Sequence, residues 1–324
     1  MVSPWVDEER DVLIGSGPDT TVWLVTDPQG APDPCVGDRP PVVVKAVRGG
    51  PRARAVRAAA RRLDGIDHEG LLPVLSSWDD PAPGSEPGVV AVLPYVSGGT
   101  LRTLLDERGT LTAGEVVALL TPVAGALDRL SEAGVVHGDL KPENVLLWPD
   151  GRPVVADVAG DPSFGTPGYI APEVLDGAPS PRSDVFALGV VAYEALTARR
   201  PHRGEPADVL AAPAGAAHRP LTAWPTIPAA VAHVVERALA PDPRHRPRSA
   251  GRFAAELLAA VDPAEVVLPG ACAPGEHPAG PVRHTIELPR LPQPPVPPPG
   301  RWARVRARLR PWPTRRRSQN RRCP

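Results

Sequence analysis

Lysine is nearly missing from this chain. Of 36 cationic side chains only Lys45 and Lys141 are lysine, and asparagine occurs only at Asn144 and Asn320. Where a plain positive charge is enough, the sequence uses arginine. Lysine is then expected only where a compact ammonium does something that a planar guanidinium cannot. Aromatic residues make up 4%, so the core has to be built from Val, Leu and Ala. Cysteine occurs three times, at Cys35, Cys272 and Cys323, far apart and without metal-site spacing. That excludes a disulfide framework and implies a reduced, cytoplasmic chain. No apolar run approaches the length of a membrane span, and residues 1–10 are acidic rather than basic and then apolar, which argues against a secretory signal. With 42% apolar and 23% charged residues, collagen, a coiled coil and a wholly disordered chain are excluded as well.

The net charge of −1 conceals an asymmetry. Residues 301–324 hold ten Arg and no acid, which leaves the first 300 residues at −11. Hydrophobic alternation predicts strands at 11–15, 21–26 and 41–47, with a Pro/Asp/Gly loop at 27–40. A helix is expected over 52–63, then a strand pair at 72–78 and 89–96. From residue 100 the period becomes helical, with helices expected at 101–108, 113–133 (bent at Pro122), 182–197, 229–240 and 250–261. Two short strands, 145–148 and 154–156, fall among them. A β-rich front half followed by a helical back half implies two lobes with a cleft between them. Residues 281–300 contain eight Pro and suit an extended linker.

The most informative stretch is His137, Gly138, Asp139, Leu140, Lys141, Pro142, Glu143 and Asn144. An Asp, a Lys two residues later and an Asn five later, on one tight loop, can all face a single phosphoryl group. The Asp orients or deprotonates an attacking hydroxyl, the Lys neutralises charge in transfer, and the Asn oxygen binds Mg²⁺. At these residues the chain resembles the eukaryotic-type protein kinases, in their serine/threonine branch. The resemblance implies an α+β, bilobal fold, with a small β-rich N-lobe carrying one helix and a larger, mostly helical C-lobe. It covers roughly residues 8–262, divided as N-lobe 8–96 and C-lobe 97–262. A Pro-rich linker (263–300) and an Arg-rich disordered tail (301–324) would follow.

Carried over residue by residue, Gly15 and Gly17, followed by Val22, resemble the Gly-rich loop over the ATP phosphates, although Thr20 stands where the family has its third Gly. A lone pair of glycines is equally compatible with a simple hairpin. Lys45 resembles the lysine that grips the α- and β-phosphates. Pro94 and Val96 occupy the hinge that would hold adenine, with Val22, Val43 and Leu146 sandwiching the base. Asp157 stands where the metal-binding Asp belongs, and would share the metal with Asn144. Residues 165–173 match the substrate-docking segment. Asp184 matches the anchor of the catalytic loop, and Arg246 would pair with Glu173. The expected cofactors are ATP and Mg²⁺ or Mn²⁺. Two lysines placed at random among the cationic positions would coincide with the two catalytic ones only about once in 630.

The pattern also departs from the family. The helix at 52–63 has five Arg and no acid, so the Glu that should orient Lys45 is missing; its expected position is Ala59. Val158 and Ala159 replace the Phe and Gly after Asp157. Gly138 replaces an Arg that receives an activation-loop phosphate, and only seven residues (158–164) separate Asp157 from Gly165. Two readings from different classes follow. One is a working kinase that transfers the γ-phosphoryl of ATP to protein Ser or Thr, with Asp139, Lys141 and Lys45 as its catalytic residues. The other is a pseudokinase, a nucleotide-binding or scaffold module with little or no transfer. A small-molecule kinase of related fold would have no use for residues 165–173 or Arg246. In the tail, Trp302, Val305, Leu309 and Trp312 recur at helical spacing among arginines, as in a segment for an anionic membrane or an acidic partner. Pro311 and Pro313 favour a plain disordered terminus instead, and no specific nucleic-acid partner is expected.

Overall fold

The computed structural model describes Val6 and residues 11–17, 19–25, 41–63, 65–80, 86–158, 166–175, 177, 179–202 and 218–269. Strands β1 (Val12–Ser16), β2 (Thr20–Val25) and β3 (Val42–Val47) lead into helix α1 (Pro51–Leu63), then β4 (Ser76–Asp80) and β5 (Gly88–Pro94). They form one antiparallel sheet in the order β1-β2-β3-β5-β4. Its register decides what each face does. Val22 lies opposite Lys45, which lies opposite Ala91, while Leu24, Val43 and Leu93 form the next row. Cross-strand partners share a face, and alternate residues along a strand return to it. One face therefore carries Val22, Val43 and Lys45. The other carries Val25, Val44 and Val90, which bury themselves against Trp23, Trp78 and Val92.

The chain then becomes helical. Helices α2 (Leu101–Arg108) and α3 (Ala113–Glu132) precede a 3₁₀ turn (Pro142–Asn144) and the short pair β6 (Val145–Leu147) and β7 (Pro153–Val155). Helices α4 (Pro172–Leu175), α5 (Pro181–Thr197), α6 (Ala229–Ala238) and α7 (Ala250–Ala260) follow. Thr112 and Glu115 close a reciprocal cap at the start of α3, an arrangement that contributes about 1 kcal/mol. Pro122 sits inside α3, which runs on past it. Helix α5 opens with Ser180 as its cap and Pro181 in its first turn, and nearly all of it is buried. Together α3, α5, α6 and α7 enclose the main core. Among the described residues, no helix is long and apolar enough to cross a membrane.

Two sequence-based boundaries move. The strand expected at 72–78 begins only at Ser76, because Leu71 and Leu72 leave the sheet to bury themselves against the helical lobe and the β6–β7 pair. The linker expected from residue 263 begins later. Ala264 N–H donates to Gly114 O (3.0 Å), and Leu268 is buried in the main core. Six residues beyond the expected boundary therefore still belong to the packed lobe. The loop at 27–40, most of the activation loop (159–164), Gly165 and the Arg-rich tail lie outside the described residues.

Candidate active site

The catalytic loop joins α3 to the 3₁₀ turn and is held from beneath. Asp184, near the start of α5, accepts the backbone N–H groups of His137 (2.8 Å) and Gly138 (3.1 Å). Burial pushes its carboxyl above the ordinary range, against the opposing pull of His137 and these two N–H groups. His137 is fully buried, and its Nε2 lies 3.1 Å from Ala156 O, which ties the loop to the strand leading to Asp157. Gly138 has φ +78°, in the left-handed region where glycine is unstrained, so here the loop uses the residue that replaces the family's Arg.

Asp139 is the centre of a small network. One carboxylate oxygen accepts from Lys141 Nζ (2.8 Å) and Asn144 Nδ2 (3.2 Å). The other accepts from Thr166 N–H (2.9 Å) and its hydroxyl (2.7 Å). Lys141 also reaches Thr166 Oγ1 (2.6 Å), and Asn144 Nδ2 donates to Asp139 O (2.7 Å). Asn144 thus spends its amide N–H groups on the loop and keeps its amide oxygen for other partners. Thr166 is a site residue that the motif reading carried only as part of a longer docking string. Its only signal in sequence was its place directly after Gly165.

Lys45 projects from β3 and is largely buried. Its Nζ is paired with Asp157, not with any residue of α1. Asp157 is one of the two non-glycine residues described at positive φ (+58°), a local strain of the kind found at working sites. Desolvation pushes its carboxyl up, but Lys45, with Arg52 and His137 adding to it, outweighs this and holds it below the ordinary carboxylate range. Ala156 N–H donates to Asn144 O (2.9 Å), which fixes Asp157 and Asn144 relative to each other. Lys45, Asp139 and Asp157 all line one cleft that opens to solvent. The remaining walls are mostly apolar, and Arg52, Ala59, Leu63 and Val158 are among them.

Ala59 therefore stands where the missing Glu was expected, facing the same cleft as Lys45. The arginines of α1 do not gather around Lys45. Arg57 pairs with Asp79 (2.5 Å) and Arg54 with Glu86, both on the β4–β5 side, while Arg52 is the one that lines the cleft. At the hinge, Pro94 ends β5 and Val96 is buried with Leu72, Val154, Leu93 and Leu146. Val22 and Val43 share the sheet face of Lys45, and Leu146 packs with Val96, but Val22, Val43, Pro94, Val96 and Leu146 are not among the residues that line the cleft. The loop after β1 turns back through Gly17 N–H to Thr20 O (2.8 Å). A Cβ at Gly15 would make only ordinary contact with Val22, and one at Gly17 would meet nothing. Beyond the loop, Arg246 has no exposed side-chain surface. It grips Glu173 through two bonds (2.7 and 2.8 Å) and donates to three carbonyls besides.

Asn144 and Asp157 could offer two oxygens to a cation, and the described residues contain no cluster of three or more His, Cys, Asp or Glu able to hold a metal by themselves. Such a pair suits a hard cation that completes its shell with phosphate oxygens and water.

Comparison with known proteins agrees with this geometry. Residues 53–259 match the protein kinase domain family. The serine/threonine-protein kinase PknL of Mycobacterium tuberculosis is 39% identical over 164 residues, covering 47% of this chain and 40% of that protein. The serine/threonine-protein kinase PknA of the same organism is 33% identical over 244 residues, covering 69% and 56%. The chain thus spans about half the length of these curated relatives. A solved structure of Rad53 residues 1–466 in complex with AMP-PNP superposes with a TM-score of 0.62 at 22% identity, covering 75% of this chain and 62% of that one, a likeness of fold. The chain belongs to the protein kinase family, in its bacterial, eukaryotic-type serine/threonine branch.

Proposed function

We propose that the chain transfers the γ-phosphoryl group of ATP to Ser or Thr hydroxyls of protein substrates. The observation that carries this reading is that both lysines of an arginine-dominated chain are bonded to carboxylates, Asp157 and Asp139, that line one cleft. An ammonium offers a compact charge at each point, where a guanidinium would impose a planar fork.

In this reading Val22 and Val43 above and Leu146 below enclose the adenine, with the carbonyl of Pro94 and the N–H of Val96 at its edge. Proline lacks only its N–H, so Pro94 keeps the acceptor. Gly15 and Gly17 leave backbone bare above the phosphates. Neither φ nor crowding in the hairpin demands glycine there, which favours a ligand as the reason for both. Lys45 holds the α- and β-phosphates. Asp139, fixed by Thr166, Asn144 and Lys141, orients the acceptor hydroxyl and takes its proton, and Lys141 compensates charge on the moving phosphoryl. Asn144 and Asp157 would hold Mg²⁺ or Mn²⁺, which neutralises the phosphate oxygens when bound. We assign residues 8–96 to the N-lobe and 97–269 to the C-lobe. Residues 301–324 stay outside this assignment.

The pseudokinase alternative rested on the departures from the family pattern, of which the missing helix Glu bears most directly on Lys45. Lys45 nevertheless has a carboxylate partner, the metal and base residues are all present, and both matched relatives are named serine/threonine-protein kinases. Incubation with radiolabelled ATP, Mg²⁺ and a generic acceptor protein tests the proposal. Transfer by the parent chain and at least a hundredfold less by Asp139→Asn are expected. Equal incorporation by the two would overturn it.

A further inference from the structure

Away from the cleft, six arginines converge on a second cavity. Arg182, Arg237, Arg244, Arg246, Arg248 and Arg252 line an open space of about 580 Å³ with His245 and one acid, Glu256. None of these residues lines the catalytic cleft. Their charges are only partly met. Arg246 is held by Glu173 and Arg244 by Asp242, while Arg237 and Arg252 share Glu256 (2.8 and 2.9 Å). Arg182 donates to the carbonyls of Pro243 and Arg246, which carry no net charge. Arg248 is exposed and has no hydrogen bond or ion pair among the described residues. Six guanidinium groups against three carboxylates leave an excess of three positive charges in one concavity.

Two helix N-termini add to this field. Arg182 lies in the first turn of α5 and Arg252 in the first turn of α7, so the positive ends of both helices border the cavity. A preference for arginine over lysine explains the residue type at these positions but not their convergence. Uncompensated like charges so close together repel, and an anion bound between them relieves that repulsion. Guanidinium forks match carboxylate and phosphate oxygens in pairs. The lining contains no aliphatic side chain and only one ring, His245, so charge rather than apolar contact selects the ligand.

We propose that this cavity docks a peptide segment carrying closely spaced phosphorylated or acidic residues. Through Arg246 its wall is tied to Glu173, the last residue of the substrate-docking segment, so the cavity and that segment share one ion pair.

The test uses the full chain carrying Asp139→Asn, without nucleotide, so that its outcome does not depend on phosphoryl transfer. Binding of a short fluorescent peptide is followed by anisotropy at roughly physiological ionic strength. The peptide is prepared with clustered phosphoserines, with Glu in their place, or with Ser. Tight binding of the phosphoserine form is expected, weaker binding of the Glu form, and none of the Ser form. Adding Arg244→Ala and Arg248→Ala together should weaken phosphopeptide binding at least tenfold, and Arg248→Glu alone by a similar factor. Both residues are exposed, so the unfolding temperature should stay the same. Unchanged affinity in both variants would overturn the proposal and place anion binding elsewhere, the Arg-rich tail included. Competition by inorganic triphosphate or a single-stranded oligonucleotide as strong as that by unlabelled phosphopeptide would overturn it too, reducing the cavity to a general polyanion sink.

Discussion

At the residue scale the site departs from its family in which carboxylate serves Lys45. With Ala59 where a Glu was expected, the ammonium is paired with Asp157, itself a metal ligand in the proposed mechanism. A divalent cation must therefore compete with Lys45 for one carboxylate, whereas a helix Glu would leave Asp157 to the metal. Ala59→Glu should accordingly tighten the apparent Mg²⁺ requirement for transfer, lowering the half-saturating Mg²⁺ concentration severalfold. A Mg²⁺ titration at saturating ATP checks this, and an unchanged midpoint would count against the competition. The sequence showed that an acid was missing from 52–63, and Ala59, where it was expected, lines the same cleft as Lys45. The sequence could not show the replacement, because Asp157 lies more than a hundred residues further along the chain. Thr166 escaped notice for the same reason: its bonds to Asp139 and Lys141 span more than twenty residues.

At the element scale the catalytic loop and α1 are held very differently. The loop is fixed from below by Asp184 and His137, both buried within the helical lobe. Helix α1 buries only Ala53 and Ala59, and it lines the cleft with Ala55, Ala59 and Ala60 beside Arg52, Val56 and Leu63, with no acid among them. Few buried apolar contacts mean a low opening free energy. Amide exchange in α1 should therefore run much faster than in α3 or α5, and ATP with Mg²⁺ should slow it. Hydrogen–deuterium exchange measures this, and equal protection of α1 and α3 without nucleotide would contradict it. Arg246 makes the opposite case. Arg246→Met would leave the half-buried Glu173 and three carbonyls without their donor, and a loss of about 3 kcal/mol is expected in denaturant unfolding. Most elements were legible from periodicity because α2, α3, α5, α6 and α7 each pack an apolar stripe or are wholly enclosed. The strand after residue 70 was misplaced because Leu71 and Leu72 read equally well as strand or core, and only the other lobe decides between them.

At the scale of the whole molecule, the packed lobe runs through Leu268, so a truncation after Asp262 would cut into the core, while one after residue 269 should keep both stability and transfer. Comparing the unfolding temperatures of these two truncations checks this directly. Acid sensitivity has a traceable source in the same lobe. His202 stacks on Phe186 and faces His218, which is paired with Glu236. Burial first, and then His218, hold its imidazole below the ordinary 6.5. Above about pH 6.5 neither the folded nor the unfolded state carries this proton. Below it the unfolded chain takes the proton up and the folded chain resists, so stability falls as the pH drops. His202→Gln should flatten the decline in unfolding free energy between neutral pH and pH 5.

What unites these scales is the claim that triphosphate chemistry kept two ammonium groups where arginine serves everywhere else. Lys45→Arg and Lys141→Arg test it most directly, because each keeps the positive charge and makes the exchange that prevails in the rest of the chain. Both variants should remain folded, and each should lose at least a hundredfold in kcat/KM for phosphoryl transfer from ATP, about 2.7 kcal/mol of transition-state stabilisation. Transfer by either arginine variant at the parent rate would contradict the account.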